Sequence, residues 1–390
     1  MSERFIAEHI KTLKPSGIRR FFDLAQSMEG VISLGVGEPD FTTPWSVIEA
    51  SYHSLERGFT AYTPNAGLPQ LRRSIAKFLS ARFSVDYDSK DEIIVTVGAS
   101  QAIDIAFRSI LNPGDEVIVM EPSFVSYVPT ITLAGGVPVI VDTHEHNQFK
   151  LSKDALEQAI TKKTKAVLIC SPNNPTGAVL DKEDLEGISD VIKAHDLLVI
   201  SDEIYADLIY DEAYTSIASL EGMKERTLLV SGFSKAFAMT GWRLGYVCGP
   251  EGLISQMLKI HQYTIMSAPT MAQYGAIEAL ENGLGEVAYM KESYKQRRNY
   301  VVKALTRMGL SCHTPGGAFY VFPSVKSTGL TSAEFAERLL MEEKVAVVPG
   351  SVFGESGEGY IRCSYAASMK QLTEAMVRIE QFVNKLKAKA

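Results

Sequence analysis

Short apolar runs rich in β-branched residues recur through the middle of the chain. Longer stretches with an apolar residue every three or four positions separate them. The runs at Ile93–Val97, Glu116–Met120, Val137–Val141, Ala166–Cys170, Leu197–Ile200, Leu228–Val230 and Leu244–Val247 read as strands. They are near-continuously apolar, the pattern of strands covered on both faces. The intervening stretches read as helices. Ala102–Leu111 ends at Asn112-Pro113-Gly114, and Asp181 caps a helix with Leu185, Ile188 and Ile192 on one face. This alternation predicts an α/β fold: a mostly parallel seven-stranded sheet between helices.

The texture changes after about residue 285. A charged helical stretch, Glu286–Met308, leads to a turn and strand at Gly316–Phe322. Thr331 and Glu334 form a capping box, strands follow at Val345–Val348 and Tyr360–Ser364, and a last helix carries Leu372, Met376, Ile379, Val383 and Leu386 on one face. We expect a large domain over residues 48–285 and a smaller α+β domain over 286–390. Residues 1–47 should form an arm and the first part of the small domain. Within them Ile18, Phe21, Phe22 and Ala25 have helical spacing, and Val31–Leu34 reads as a short strand. The turn Gly35-Val36-Gly37-Glu38-Pro39-Asp40 is not a dinucleotide fingerprint, because it lacks the third glycine and opens no helix.

Composition narrows the classes. The chain has 390 residues, 46% hydrophobic and 22% charged, with a net charge of −7 and no basic run. That argues against nucleic acid as a partner. Four scattered cysteines form no Cys-x-x-Cys pair, which suits a reducing cytoplasm better than a disulfide or zinc framework. Met1–Lys14 lacks a signal-peptide apolar core, and no run approaches membrane-spanning length. The expectation is a cytoplasmic protein without a membrane partner.

In an open parallel sheet, ligands sit beyond the carboxyl ends of the strands. Lys235 follows such an end, in Ser231-Gly232-Phe233-Ser234-Lys235. Among apolar neighbours its pKa would fall, and it could attack a carbonyl, or it could face water. Arg243 offers a fork suited to phosphate or carboxylate. Ser100 reads as a plain N-cap or as part of a phosphate site at a helix N-terminus. Phe124 reads as core or as a stacking surface. Asn174 lies in the turn cluster Ser171–Gly177, and would be a rigid donor if the Asn174-Pro175 bond were cis. Asp202 and Tyr205 would share a face if a helix began there. Arg362, a lone cation in an apolar strand, needs either a structural carboxylate or a substrate's. Lysine, carboxylate, phenol, amide, aromatic ring and two arginines together form the inventory that pyridoxal phosphate requires.

At this point the chain resembles a family, the class I, fold-type I pyridoxal-phosphate aminotransferases, and is similar to bacterial and archaeal aspartate and aromatic aminotransferases. The motifs are Ser-Pro-Asn-Asn-Pro-Thr-Gly from Ser171, Ser-Asp-Glu-Ile-Tyr from Ser201 and Ser-Lys-x-x-x-Met-Thr-Gly-Trp-Arg from Ser234. The resemblance implies pyridoxal 5′-phosphate attached to Lys235, which later moves the substrate's Cα proton. It implies Asp202 on the ring nitrogen, Asn174 and Tyr205 on the ring oxygen, and Phe124 on the ring face. Ala99, Ser100, Ser231, Ser234 and Arg243 would surround the phosphate. Gly37, Asn174 and Arg362 would hold the substrate α-carboxylate, with Ile18 beside it. Tyr62 would reach the phosphate of a neighbouring subunit, which implies a homodimer with shared sites. Gly232 replaces a serine common in the family, so the phosphate contact falls to Ser231 or Ser234. Some acidic-substrate members carry a lysine where this chain has Ser100.

The implied reaction is ping-pong transfer of an amino group from an L-amino acid to 2-oxoglutarate. Ile18, Phe21, Phe22, Tyr62 and Phe124 favour aromatic or large neutral donors over aspartate, which stays as the alternative. Arg19, Arg20 or His261 would meet a second substrate carboxylate. A carbon–sulfur lyase on the same scaffold is a further alternative. A cofactor-binding regulator is disfavoured by the absence of a basic patch and of a segment for a helix-turn-helix module.

Overall fold

The computed structural model describes residues 3–11, 13, 15, 17 and 28–388. The expected helix from Ile18 to Ala25, and with it Arg19, Arg20, Phe21 and Phe22, lies outside the described residues.

Strands run in chain order as β1 (Ile32–Ser33), β2 (Ile93–Thr96), β3 (Glu116–Glu121), β4 (Val137–Asp142), β5 (Thr164–Cys170) and β6 (Leu198–Asp202). They continue as β7 (Thr227–Gly232), β8 (Gly245–Cys248), β9 (Tyr320–Val321), β10 (Val345–Ala346), β11 (Val348–Pro349) and β12 (Ile361–Ser364). Seven make the main sheet, in the order β2-β8-β7-β6-β5-β3-β4. All neighbours in it are parallel except β8, which runs antiparallel to both β2 and β7. β5, β7 and β8 are largely or wholly buried because helices cover both faces. The helices Gly98–Ile110 and Glu251–Thr264 contribute Ile103, Phe107, Ile254 and Met257 to a core on one face. Lys182–Ala194 contributes Leu185, Ile188 and Ile192 to another, and Asp181 caps it through a reciprocal box with Asp184.

The remaining strands are short. β11, β12 and β9 form an antiparallel sheet, while β1 pairs in parallel with β10. The run expected as one strand at Val345–Val348 thus divides between two sheets. Thr331 caps Ser332–Glu343 with Glu334, and the last helix, Met369–Lys387, buries Leu372, Met376, Ile379 and Val383. Their core also takes in Leu34 from the residue 28–47 region and Tyr205, Leu208 and Tyr210 from beyond β6. No described helix is long and apolar enough to cross a membrane.

Candidate active site

The carboxyl ends of β5, β6 and β7 open on a cavity of about 670 Å³. Asp202, the last residue of β6, sits in register with Cys170 of β5 and Val230 of β7. Residues 204–207 then form a turn, not the helix considered from sequence, and the turn carries Tyr205 back into the cavity. Asp202 is buried. Its Oδ2 accepts from Tyr127 Oη at 2.7 Å and its Oδ1 from Ile204 N at 3.2 Å. Burial raises its pKa despite those two donors and the more distant Lys235. A cation placed against this carboxyl would relieve that penalty.

β7 and β8 form an antiparallel pair whose last match is Gly232 with Gly245, so residues 233–244 close as one loop. The register explains both glycines. A Cβ on Gly232 would lie 2.8 Å from Gly245 Cα, and one on Gly245 would lie 2.6 Å from Ala99 N. The loop therefore packs directly on the turn that opens the helix Gly98–Ile110. Lys235 and Arg243 stand at its two ends. Lys235 Nζ donates to Gly37 O at 2.6 Å. Burial, and after it the charge of Arg362, lowers its pKa to about 8. Arg243 lies over the helix N-terminus, its Nη2 2.8 Å from where a Gly98 Cβ would be. Among the described residues its one hydrogen bond is to Thr240 O. An unpaired guanidinium, free helix N–H groups and the hydroxyl-bearing Ser100 and Ser234 make a cradle for an anion.

The opposite wall holds Arg362 of β12, only 2% exposed. It donates to Asn174 Oδ1 at 2.9 Å and to Gly35 O at 2.6 Å, while its Nε has no partner among the described residues. No carboxylate pairs with it among the described residues, so the structural salt bridge considered from sequence is absent there. The Asn174–Pro175 bond is cis.

Of the residues singled out in the sequence, Gly37, Ala99, Ser100, Phe124, Asn174, Asp202, Tyr205, Ser234, Lys235, Arg243 and Arg362 all line this cavity. Ser100 sits inside the first helical turn; the N-cap position is Val97. Ser231 is not brought to the cavity. Strand alternation turns it toward the other face, where its hydroxyl donates to Glu203 O at 3.2 Å. Tyr62 is 82% exposed and lies outside the cavity. His261 is fully buried and bonds Gln101 at 2.8 Å, away from the cavity, so it cannot meet a second substrate carboxylate. Ile18 lies outside the described residues. The sequence reading missed Tyr127, Cys170 and Tyr320, which line the cavity with Val36, Ile103 and Ile204.

A buried carboxyl with no ion-pair partner among the described residues, an anion cradle, and a lysine whose pKa is lowered to about 8 meet in one cavity. The family described as "Aminotransferase class I and II" matches residues 29–379. The chain belongs to this family. It is 61% identical to YugH of Bacillus subtilis, named as a supposed aminotransferase, over 98% of this chain and 99% of that one. It is 50% identical to an aspartate aminotransferase of Pyrococcus abyssi, over 98% of this chain and 99% of that one. Among solved structures, the aromatic aminotransferase of Pyrococcus horikoshii superposes with a TM-score of 0.90 at 48% identity, covering 95% of this chain and 100% of that one. This aminotransferase thus has the fold-type I architecture expected from its motifs, and the matches do not favour the lyase alternative.

Proposed function

We propose that this aminotransferase holds pyridoxal 5′-phosphate in the 670 Å³ cavity and transfers the amino group of an aromatic or large neutral L-amino acid to 2-oxoglutarate. The observation that carries the reading is the division of cations. Lys235, Arg243 and Arg362 are the Lys and Arg residues lining the cavity among the described residues, and each has one place to serve. Arg243, with Ala99, Ser100 and Ser234, takes the phosphate. Arg362, with Asn174 and Gly37, takes the substrate α-carboxylate. Lys235 takes the carbonyl carbon. Among the described residues no further lysine or arginine lines the cavity, and Val36, Ile103, Phe124 and Ile204 give the remaining space an apolar lining that suits an aromatic or large neutral side chain.

When bound, the cofactor supplies a carbonyl to which amines attach and a ring that draws off the electron pair released at the substrate's Cα. Asp202, fixed by Tyr127, would keep a proton on the ring nitrogen. Tyr205 and Asn174 would donate to the ring oxygen, and Phe124 would cover the ring face. In the cofactor-free protein the amine of Lys235, its pKa lowered to about 8, is neutral in roughly a tenth of molecules at pH 7. An ordinary lysine would be neutral in roughly 0.03%. Neutral Lys235 can accept the Cα proton and return it.

We further propose a cytoplasmic homodimer in which Tyr62 reaches the partner's phosphate. Tyr62, Tyr263 and Met266 are exposed, and hydrogen bonds from Asn65 to Met266 O and from Thr270 to Ala61 O hold their segments side by side. Large apolar side chains exposed on neighbouring segments are what a partner copy could cover. A panel of donors with 2-oxoglutarate tests the substrate assignment. Phenylalanine, tyrosine and leucine should outpace aspartate, and an aspartate preference would overturn it.

A further inference from the structure

Tyr320 belongs to both walls of the cavity. Its hydroxyl lies 2.9 Å from Tyr205 Oη, and Arg362 Cζ stands 4.5 Å from its ring centroid. Both phenols are buried. The hydroxyl packs over Gly37, where a Cβ would lie 2.8 Å from it, so a glycine is what leaves room for the phenol. Among the described residues its one hydrogen-bond partner is Tyr205.

Counting protons fixes the direction of that bond. Each phenol has one to give. On the reading of the site above, on which this inference rests, Tyr205 gives its proton to the cofactor's ring oxygen. Tyr320 must then donate to Tyr205. A hydroxyl that accepts a hydrogen bond is polarised into a better donor, so Tyr320 strengthens what Tyr205 gives. Arg362 over the Tyr320 ring draws electron density from it, and a carboxylate bound to Arg362 would cancel much of that pull. We propose that Tyr320 is a positioning residue: it orients Tyr205 toward the cofactor and couples that hydrogen bond to occupancy of the Arg362 carboxylate clamp. The titratable groups around Tyr320 are Tyr205, Arg362, Cys170 and Glu38, so Glu38→Gln serves as a control for the exposed carboxylate.

The test is a pH titration of visible absorption on protein loaded with pyridoxal 5′-phosphate, with and without the unreactive 3-phenylpropanoate. Donation to the ring oxygen favours the deprotonated form. Tyr320→Phe should therefore raise the midpoint by about one pH unit, a tenfold change, and shrink the shift caused by the carboxylate. In a Tyr205→Phe background, Tyr320→Phe should add nothing. An unchanged midpoint, or the same change with and without Tyr205, overturns the proposal. Should Tyr320→Phe fail to take up cofactor, 3-fluorotyrosine in place of Tyr320 decides the matter. That stronger donor should lower the midpoint, and no movement refutes the coupling. A wild-type protein without any pH-dependent colour change would refute the site reading as well; loss of the Tyr320 effect alone refutes only the coupling.

Discussion

At the scale of single residues, the site is built from charges denied their usual partners. Lys235 is the clearest case. Burial and Arg362 favour its neutral form, so in cofactor-free protein its amine should titrate near 8, read by the pH dependence of its acylation rate. Lys235→Ala should abolish turnover. Arg362→Ala should leave folding intact and raise the donor's KM by a factor equivalent to a few kcal/mol, measured by initial rates. These residues were legible in the sequence because a lysine or arginine in apolar surroundings is conspicuous. Tyr127 and Tyr320 were not. Their rings are 1% exposed and pack as any core aromatic would, and only the hydroxyl positions, set by tertiary contacts, reveal a role. Choosing between Ser231 and Ser234 likewise required knowing where β7 ends, since one residue of register turns a side chain to the other face.

At the scale of elements, the strands could be read from their apolar runs, but their directions could not. A buried antiparallel strand such as β8 is as uniformly apolar as its parallel neighbours. Its direction matters, because only an antiparallel β7–β8 pair ties both ends of the lysine loop to adjacent backbone. Gly245→Ala would drive a Cβ into Ala99 N and Gly98 C. It should cost about 1–3 kcal/mol in thermal unfolding and loosen cofactor binding together. A one-residue insertion between Ala236 and Thr240 should lower the melting temperature and weaken cofactor binding together, since it displaces the buried Phe237 and Met239 and moves Arg243 relative to Lys235.

At the scale of the molecule, stability and assembly carry further signatures. Glu203 is buried beside Asp202, accepts from Ser216 at 2.7 Å and Ser201 at 3.0 Å, and burial pushes its pKa to about 7. Its folded pKa exceeds the unfolded value, so its contribution to stability is full below about pH 4.5 and is lost as pH rises through 7. Relative to Glu203→Gln, wild type should lose about 3 kcal/mol over that window, at about 1.4 kcal/mol per pH unit, measured by denaturant unfolding. If sites are shared, mixing inactive Lys235→Ala with a Tyr62→Ala variant should restore activity through hybrid dimers with one intact site, and no recovery would contradict the shared-site dimer. The core that joins Tyr205 to β9, β12 and the last helix has another consequence, for the order in which the protein is made. Gly37 leaves the ribosome early, Asp202 and Lys235 midway, and Tyr320 and Arg362 late. The nascent large sheet can form first, yet Tyr205 lacks its packing and the cavity lacks Arg362 until the C-terminal strands follow. If the cavity takes pyridoxal phosphate as proposed, a product truncated before Tyr320 should bind it poorly and stay colourless, read by visible absorption of the purified fragment.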